Sequence, residues 1–184
     1  MDILVIAGSR NPTGQTARAA AALASGVTGA GGQAQTVFLP TLRLERCRQC
    51  DASGWGLCRQ EGRCVIDDDF AALVERLRAA AAVVLATPVY WGDLSESMRA
   101  FLDRLRRISR HEQGKAAIVG KRAVGVCVAG GGGGGAPTCL VSLERVLGHI
   151  GLDAVDLVPV RRQNLEMKLE VLRTVGRWLA TDSR

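Results

Sequence analysis

Aromatic side chains are scarce in this chain: three Trp, three Phe and one Tyr among 184 residues. The basic residues are scattered rather than gathered into an arm or stripe, so the net charge of +6 makes a weak case for nucleic acid. The same balance argues against a small acidic electron carrier and suits anionic small molecules. Only two histidines occur, His111 and His149, and they stand far apart. With no G-x-S-x-G either, nothing assembles a nucleophile with a base. The longest apolar run, from Ala79 to Pro88, is far too short to span a bilayer. The N-terminus lacks a charged region followed by a hydrophobic segment, so no signal peptide is expected and a cytoplasmic location is. Two familiar phosphate loops are also missing. There is no G-x-x-x-x-G-K-[ST], and no G-x-G-x-x-G follows the first apolar run.

What is present reads as one domain over residues 1–184, large enough to bury a real core. Ile3-Leu4-Val5-Ile6-Ala7 is continuously apolar, the pattern of a strand buried on both faces. Similar runs recur at Ala34 to Leu39, Ala81 to Thr87, Ala123 to Val128 and Ala154 to Val158. Helical spacing fills the intervals, at about Gln15 to Ser25, after Asp67-Asp68-Asp69, Ser95 to Ile108, Thr138 to Gly148 and Leu165 to Ala180. Gly26 to Gly32 is read as the end of the first helix, and Arg104 as pointing away from the core beside Arg99, Arg106 and Arg107. Strands alternating with helices predict an α/β fold: a five-stranded parallel sheet with helices on both faces, in three layers. Such sheets bind ligands outside the C-terminal strand ends.

Three loops at those ends carry chemistry. The first, Gly8-Ser9-Arg10-Asn11-Pro12-Thr13-Gly14-Gln15-Thr16, leads from a buried strand into an Ala-rich helix. Free backbone N–H groups and the positive end of the helix dipole there favour an anion, most often a phosphate. Ser9, Thr13 and Thr16 add hydroxyls and Arg10 a charge. The second, Pro88-Val89-Tyr90-Trp91-Gly92, places two of seven aromatics side by side, as stacking on a planar heterocycle would need. The third, Ala129 followed by Gly130, Gly131, Gly132 and three further glycines, lets backbone approach a ligand closely.

Residues 40–66 form a long connection without evident helix or strand, and it holds Cys47, Cys50, Cys58 and Cys64. Four cysteines so close together in a cytosolic chain favour a metal or cluster over disulfides, and thiolate tetrads suit a [4Fe–4S] cluster or structural zinc. Free or disulfide-bonded thiols are the alternative. Trp55, inside the segment, is expected to pack locally. Cys127 and Cys139 read as buried small hydrophobes.

Taken in order, these motifs resemble the NAD(P)H-dependent FMN reductases and iron–sulfur flavoproteins of the flavodoxin-like superfamily. Gly8-Ser9-Arg10 with Gly14-Gln15-Thr16, Cys47-x-x-Cys50 leading to Cys64-Val65-Ile66-Asp67-Asp68, Thr87 to Gly92 with Phe101-Leu102-Asp103-Arg104, and Ala129 to Gly132 carry the resemblance. It implies a flavodoxin-like three-layer sandwich that binds FMN. Ser9, Arg10, Gln15 and Thr16 would hold its phosphate, and Pro88 to Gly92 with Ala129 to Gly132 its ring. It implies an oxidoreductase that takes electrons from NAD(P)H and passes them to a small-molecule or protein acceptor, in a homodimer or homotetramer. The alternative within the same resemblance is an electron-transfer protein with a cysteine-ligated cluster. Cluster-bearing relatives carry a tighter run between the second and third cysteines, where seven residues stand here.

Overall fold

The computed structural model describes residues 1–182. The chain runs β1 (Asp2–Ala7), α1 (Gln15–Gly29), β2 (Gln33–Phe38), α2 (Leu57–Gln60), α3 (Phe70–Ala79), β3 (Ala82–Tyr90) and β4 (Asp93–Leu94). It continues through α4 (Glu96–Ile108), α5 (Glu112–Lys115), β5 (Arg122–Ala129), α6 (Ala136–Ile150), β6 (Asp153–Arg161) and α7 (Leu165–Thr181). The strands with continuous apolar sequence are the central ones. Ile3 to Ala7 are at most 2% exposed, and every residue of β5 is buried.

Five strands pair in parallel in the order β2-β1-β3-β5-β6. That is the flavodoxin-like order, with its switch point between β1 and β3. The sheet has six strands rather than the expected five because β4 pairs antiparallel with the end of β3. Pro88, Val89 and Tyr90, read as loop, therefore continue the strand. Trp91 and Gly92 make a two-residue turn with φ of 53° and 77°. Two positive φ values in succession are the type I′ geometry that matches strand twist.

Helices cover both faces. Phe70, Leu73 and Leu77 of α3, Met98, Phe101 and Leu105 of α4, and Leu143 and Leu147 of α6 form one core. Ala19, Ala20 and Leu23 of α1 with Leu169, Leu172 and Leu179 of α7 form the other. α1 does not stop at Gly26, as its sequence suggested, but runs on to Gly29. Gly26 is a contact, not a terminator. A Cβ there would lie 2.1 Å from the Arg173 carbonyl oxygen, and one on Gly176 would lie 2.1 Å from the Leu23 carbonyl oxygen. Two glycines thus let α1 and α7 cross backbone to backbone.

The expectation for Arg104 is overturned. It is 1% exposed and fully inside the molecule. Its guanidinium grips both oxygens of Asp68 at 2.6 and 2.9 Å, donates to the Glu45 carbonyl at 3.0 Å and to Cys64 Sγ at 3.3 Å, and lies over the Phe70 ring. Burial alone would push the Asp68 carboxyl up, but Arg104 and the Glu45 and Phe70 amides outweigh it and hold it below the usual carboxylate value. Asp69 accepts from the Arg43 amide at 2.7 Å. Of the three carboxylates expected at the start of α3, these two anchor the long connection across the fold. The Trp55 ring lies against the guanidinium groups of Arg59, in its own segment, and of Arg107 in α4. Among the described residues no helix is long and apolar enough to cross a membrane.

Candidate functional site

The loops after β1 and β5 and the C-terminal end of β3 meet around one cavity of about 560 Å³, within the range of ligand-sized clefts. Ser9, Asn11, Gly14, Gln15 and Thr16 line one side, Pro88, Val89 and Tyr90 a second, and Val128 to Gly134 the third. Eleven of the fifteen residues expected at the site line it: Ser9, Gly14, Gln15, Thr16, Pro88, Val89, Tyr90, Ala129, Gly130, Gly131 and Gly132. Arg10, Thr13, Trp91 and Gly92 do not.

The first loop is held by its own polar groups. Ser9 Oγ accepts from the Asn11 amide at 3.3 Å, and Asn11 Oδ1 accepts from both the amide and the hydroxyl of Thr13 at 3.0 Å. Thr13 is thereby occupied inside the loop. Asn11, missed in the sequence, organises it; the Asn-Pro pair was the available turn signal. Gly14 is the N-cap of α1 and no side chain caps it, so the first N–H groups of a 15-residue helix open towards the cavity. Gln15 Oε1 is buried with no hydrogen-bond partner, an arrangement that costs free energy until a donor arrives.

A second feature missed in the sequence is the stitch between the first two loops. The Gly8 amide donates to the Ala86 carbonyl at 2.8 Å. The Gly8 carbonyl accepts from the hydroxyls of Ser95 at 3.0 Å and Ser97 at 3.1 Å. Thr87 Oγ1 accepts from the Ser95 amide at 3.1 Å. Thr87 and Ser95 are buried, and Ser95 also caps α4 by accepting from the Met98 amide. A Cβ on Gly8 would stand 2.5 Å from Ser95 Oγ, so glycine is needed for this approach.

The β3–β4 hairpin is braced from two sides. Asp93 accepts from Arg99 at 2.6 and 2.7 Å. Burial pushes the Asp93 carboxyl up, but the Leu94 amide and Arg99 more than offset this and keep it low. From the other side, Gly135 fits so closely that its Cβ would be 2.9 Å from Gly92 Cα. Trp91, at the tip, is fully exposed. The glycine loop is tied from behind by Arg161, donating to the Gly133 carbonyl at 2.7 Å, and by Gln163, donating to that of Gly132 at 2.9 Å.

Cys47, Cys50, Cys58 and Cys64 all line one small hollow with Ile66, Arg104 and Arg107. All six cysteines are free thiols. Among the described residues, no three His, Cys, Asp or Glu side chains are placed to hold a metal ion. As arranged, the four thiols do not fit a cluster.

Residues 1–160 match the family described as NADPH-dependent FMN reductase. The sequence is 26% identical to an iron–sulfur flavoprotein of Methanocaldococcus jannaschii, covering 98% of this chain and 96% of that one. It is 36% identical over 74 residues to an iron–sulfur flavoprotein of Methanosarcina thermophila, covering 40% and 36% of the two chains. The fold superposes on the NAD(P)H:quinone oxidoreductase of Methanothermobacter marburgensis with a TM-score of 0.73 at 20% identity, over 100% of this chain and 98% of that one.

Proposed function

We propose that this chain, which belongs to the NADPH-dependent FMN reductase family and is an FMN-dependent NAD(P)H oxidoreductase, holds FMN in the cavity at the ends of β1, β3 and β5. The observation that carries the placement is the junction at Gly14 to Thr16. There the uncapped N-terminus of α1 adjoins the cavity that Gly14, Gln15 and Thr16 line. The helix amides with Ser9 and Thr16 receive the phosphate. The Pro88–Tyr90 edge and the glycine loop bracket the ring. Flavin, when bound, supplies hydride and electron transfer. The protein orients it, and Tyr90 with the glycine wall limits water at one face. No side chain at the site is assigned as a proton donor.

Fluorescence titration with FMN tests the placement. Ser9→Ala combined with Thr16→Ala removes two charge-assisted hydrogen bonds worth about 1.5–3 kcal/mol each, so affinity should fall more than tenfold. Unchanged affinity would remove this loop from the site.

The reading carries a small-molecule or protein electron acceptor, a cytoplasmic setting where NAD(P)H is generated, and a homodimer or homotetramer. Trp91, fully exposed beside the cavity mouth, supports assembly, because such a side chain gains most by being covered. The electron-transfer alternative is supported by the relatives named iron–sulfur flavoproteins. Iron and acid-labile sulfide, assayed on protein purified without oxygen, discriminate. Stoichiometric iron favours the alternative, and a yellow, iron-free protein favours the reductase.

A further inference from the structure

None of the side chains lining the cavity carries a charge. Asp93, which faces Tyr90 across the hairpin, is already matched by Arg99. Arg161 is placed differently. It ends β6, paired in register with Ala129 of the third wall. Its amide donates to Asn164 Oδ1 at 2.8 Å, which fixes the backbone from which the side chain springs. Its Nε donates to the Gly133 carbonyl at 2.7 Å, and among the described residues no carboxylate pairs with the guanidinium.

That bond sets the direction of a backbone donor. Every peptide among the described residues is trans, and a trans peptide is planar with its C=O and N–H pointing opposite ways. The Gly133 carbonyl shares its peptide with the Gly134 N–H. The carbonyl is drawn back to Arg161, which does not line the cavity, so the Gly134 N–H points the other way, towards the space that both glycines line. No group among the described residues accepts from it. The preceding peptide is spent. Gln163 holds the Gly132 carbonyl, but the Gly133 N–H already donates to the Gly130 carbonyl at 2.7 Å. A guanidinium on a carbonyl polarises the peptide and strengthens the N–H on its far side.

We propose that Arg161 is a positioning residue that favours reduced over oxidised flavin, by presenting the polarised Gly134 N–H to the ring and by its own charge. This rests on the FMN reading above. A hydride from NAD(P)H brings one proton and two electrons, so the ring that takes it up gains one negative charge. Topology directs the effect to the ring rather than the phosphate. In the order β2-β1-β3-β5-β6, the end of β6 lies three strands from the loop after β1, about 14 Å at the usual strand spacing. That exceeds the Debye length in ordinary buffer. Ala129, on the ring wall, is one strand away.

The test uses the full chain with FMN. It reads the dissociation constant of oxidised FMN by fluorescence, and the midpoint potential of bound FMN without oxygen against a reference dye. By linkage, the potential reports the ratio of the constants for oxidised and reduced FMN. Arg161 is exposed, so water screens part of its charge and the effect is modest. Arg161→Gln should weaken reduced FMN about fivefold more than oxidised FMN, a fall of about 20 mV for a two-electron couple. Arg161→Lys keeps the charge and should restore most of that fall. Gln163→Ala removes a tie to the wall but no charge, so it should shift both constants alike and leave the potential in place. An unmoved potential in Arg161→Gln would overturn the proposal. So would an equal fall in Gln163→Ala or Arg161→Lys, which would mark a merely structural role. If the unsubstituted chain binds no FMN, the cavity reading fails and takes this inference with it; bound FMN with an unmoved potential fails the inference alone.

Discussion

Arg104 and Asp68 form a bidentate ion pair, at 2.6 and 2.9 Å, in which neither side chain is more than 1% exposed. The pair joins α4 to the start of α3, and through the Glu45 carbonyl and Cys64 it fixes both ends of the cysteine-rich connection. A buried pair of this kind is costly to break, because removing one partner leaves the other charged and unpaired.

Arg104→Met should therefore lower stability by about 3–5 kcal/mol, read from the urea midpoint. Substituting both partners with apolar residues of similar volume should cost much less. If Arg104→Met costs under about 1 kcal/mol, the pair is not the anchor described.

Asp68 also sets a pH dependence. Its carboxyl titrates lower in the folded chain than the ordinary value of 3.8. Folding therefore gains stability above that value and loses it as pH falls through the lower, folded one. The melting temperature should drop steeply only below about pH 4, the ordinary carboxylate range. Asp68→Asn should be less stable at neutral pH and show a shallower acid decline, so an unchanged acid slope would exclude Asp68 as its source.

Gly8→Ala should disturb the site more than its size implies. The added methyl would displace Ser95 Oγ and with it the bonds linking the loops after β1 and β3. A loss of about 1–3 kcal/mol in stability and weaker FMN retention are expected, both measurable by thermal melts with and without added FMN. Full retention of FMN would separate the stitch from the site.

Trp91→Asn should leave the fold intact and raise stability by a few tenths of a kcal/mol. Asn-Gly suits a type I′ turn better than Trp-Gly, and a fully exposed indole contributes little to a single chain. If Trp91 is covered in an assembly, the same substitution should shift sedimentation towards the monomer. An unchanged assembly would free Trp91 from that role.

The parallel sheet was legible because its inner strands are apolar throughout, which leaves few other places for them. The loops at their C-terminal ends were legible because they break that pattern with glycine, hydroxyls and aromatics. Features that depend on distant partners were not. Gly26 looks like a helix end until α7 lies against it, and Arg104 looks solvated until Asp68, 36 residues away in sequence, is brought beside it. Val89 and Tyr90 read as loop because the two-residue strand they pair with leaves almost no periodicity. Asn11 was passed over for the hydroxyls around it, although its carboxamide orders them.

Gly130, Gly132 and Gly134 combine ordinary φ values with empty space where a side chain would go. Nothing in the folding of the chain keeps those positions bare; only the cavity does. Selection acting on substrate could re-line this wall one residue at a time without disturbing the sheet beneath it. A small combinatorial library at these three positions would be expected to yield folded proteins with differing cofactor and acceptor preferences, a built-in capacity for divergence.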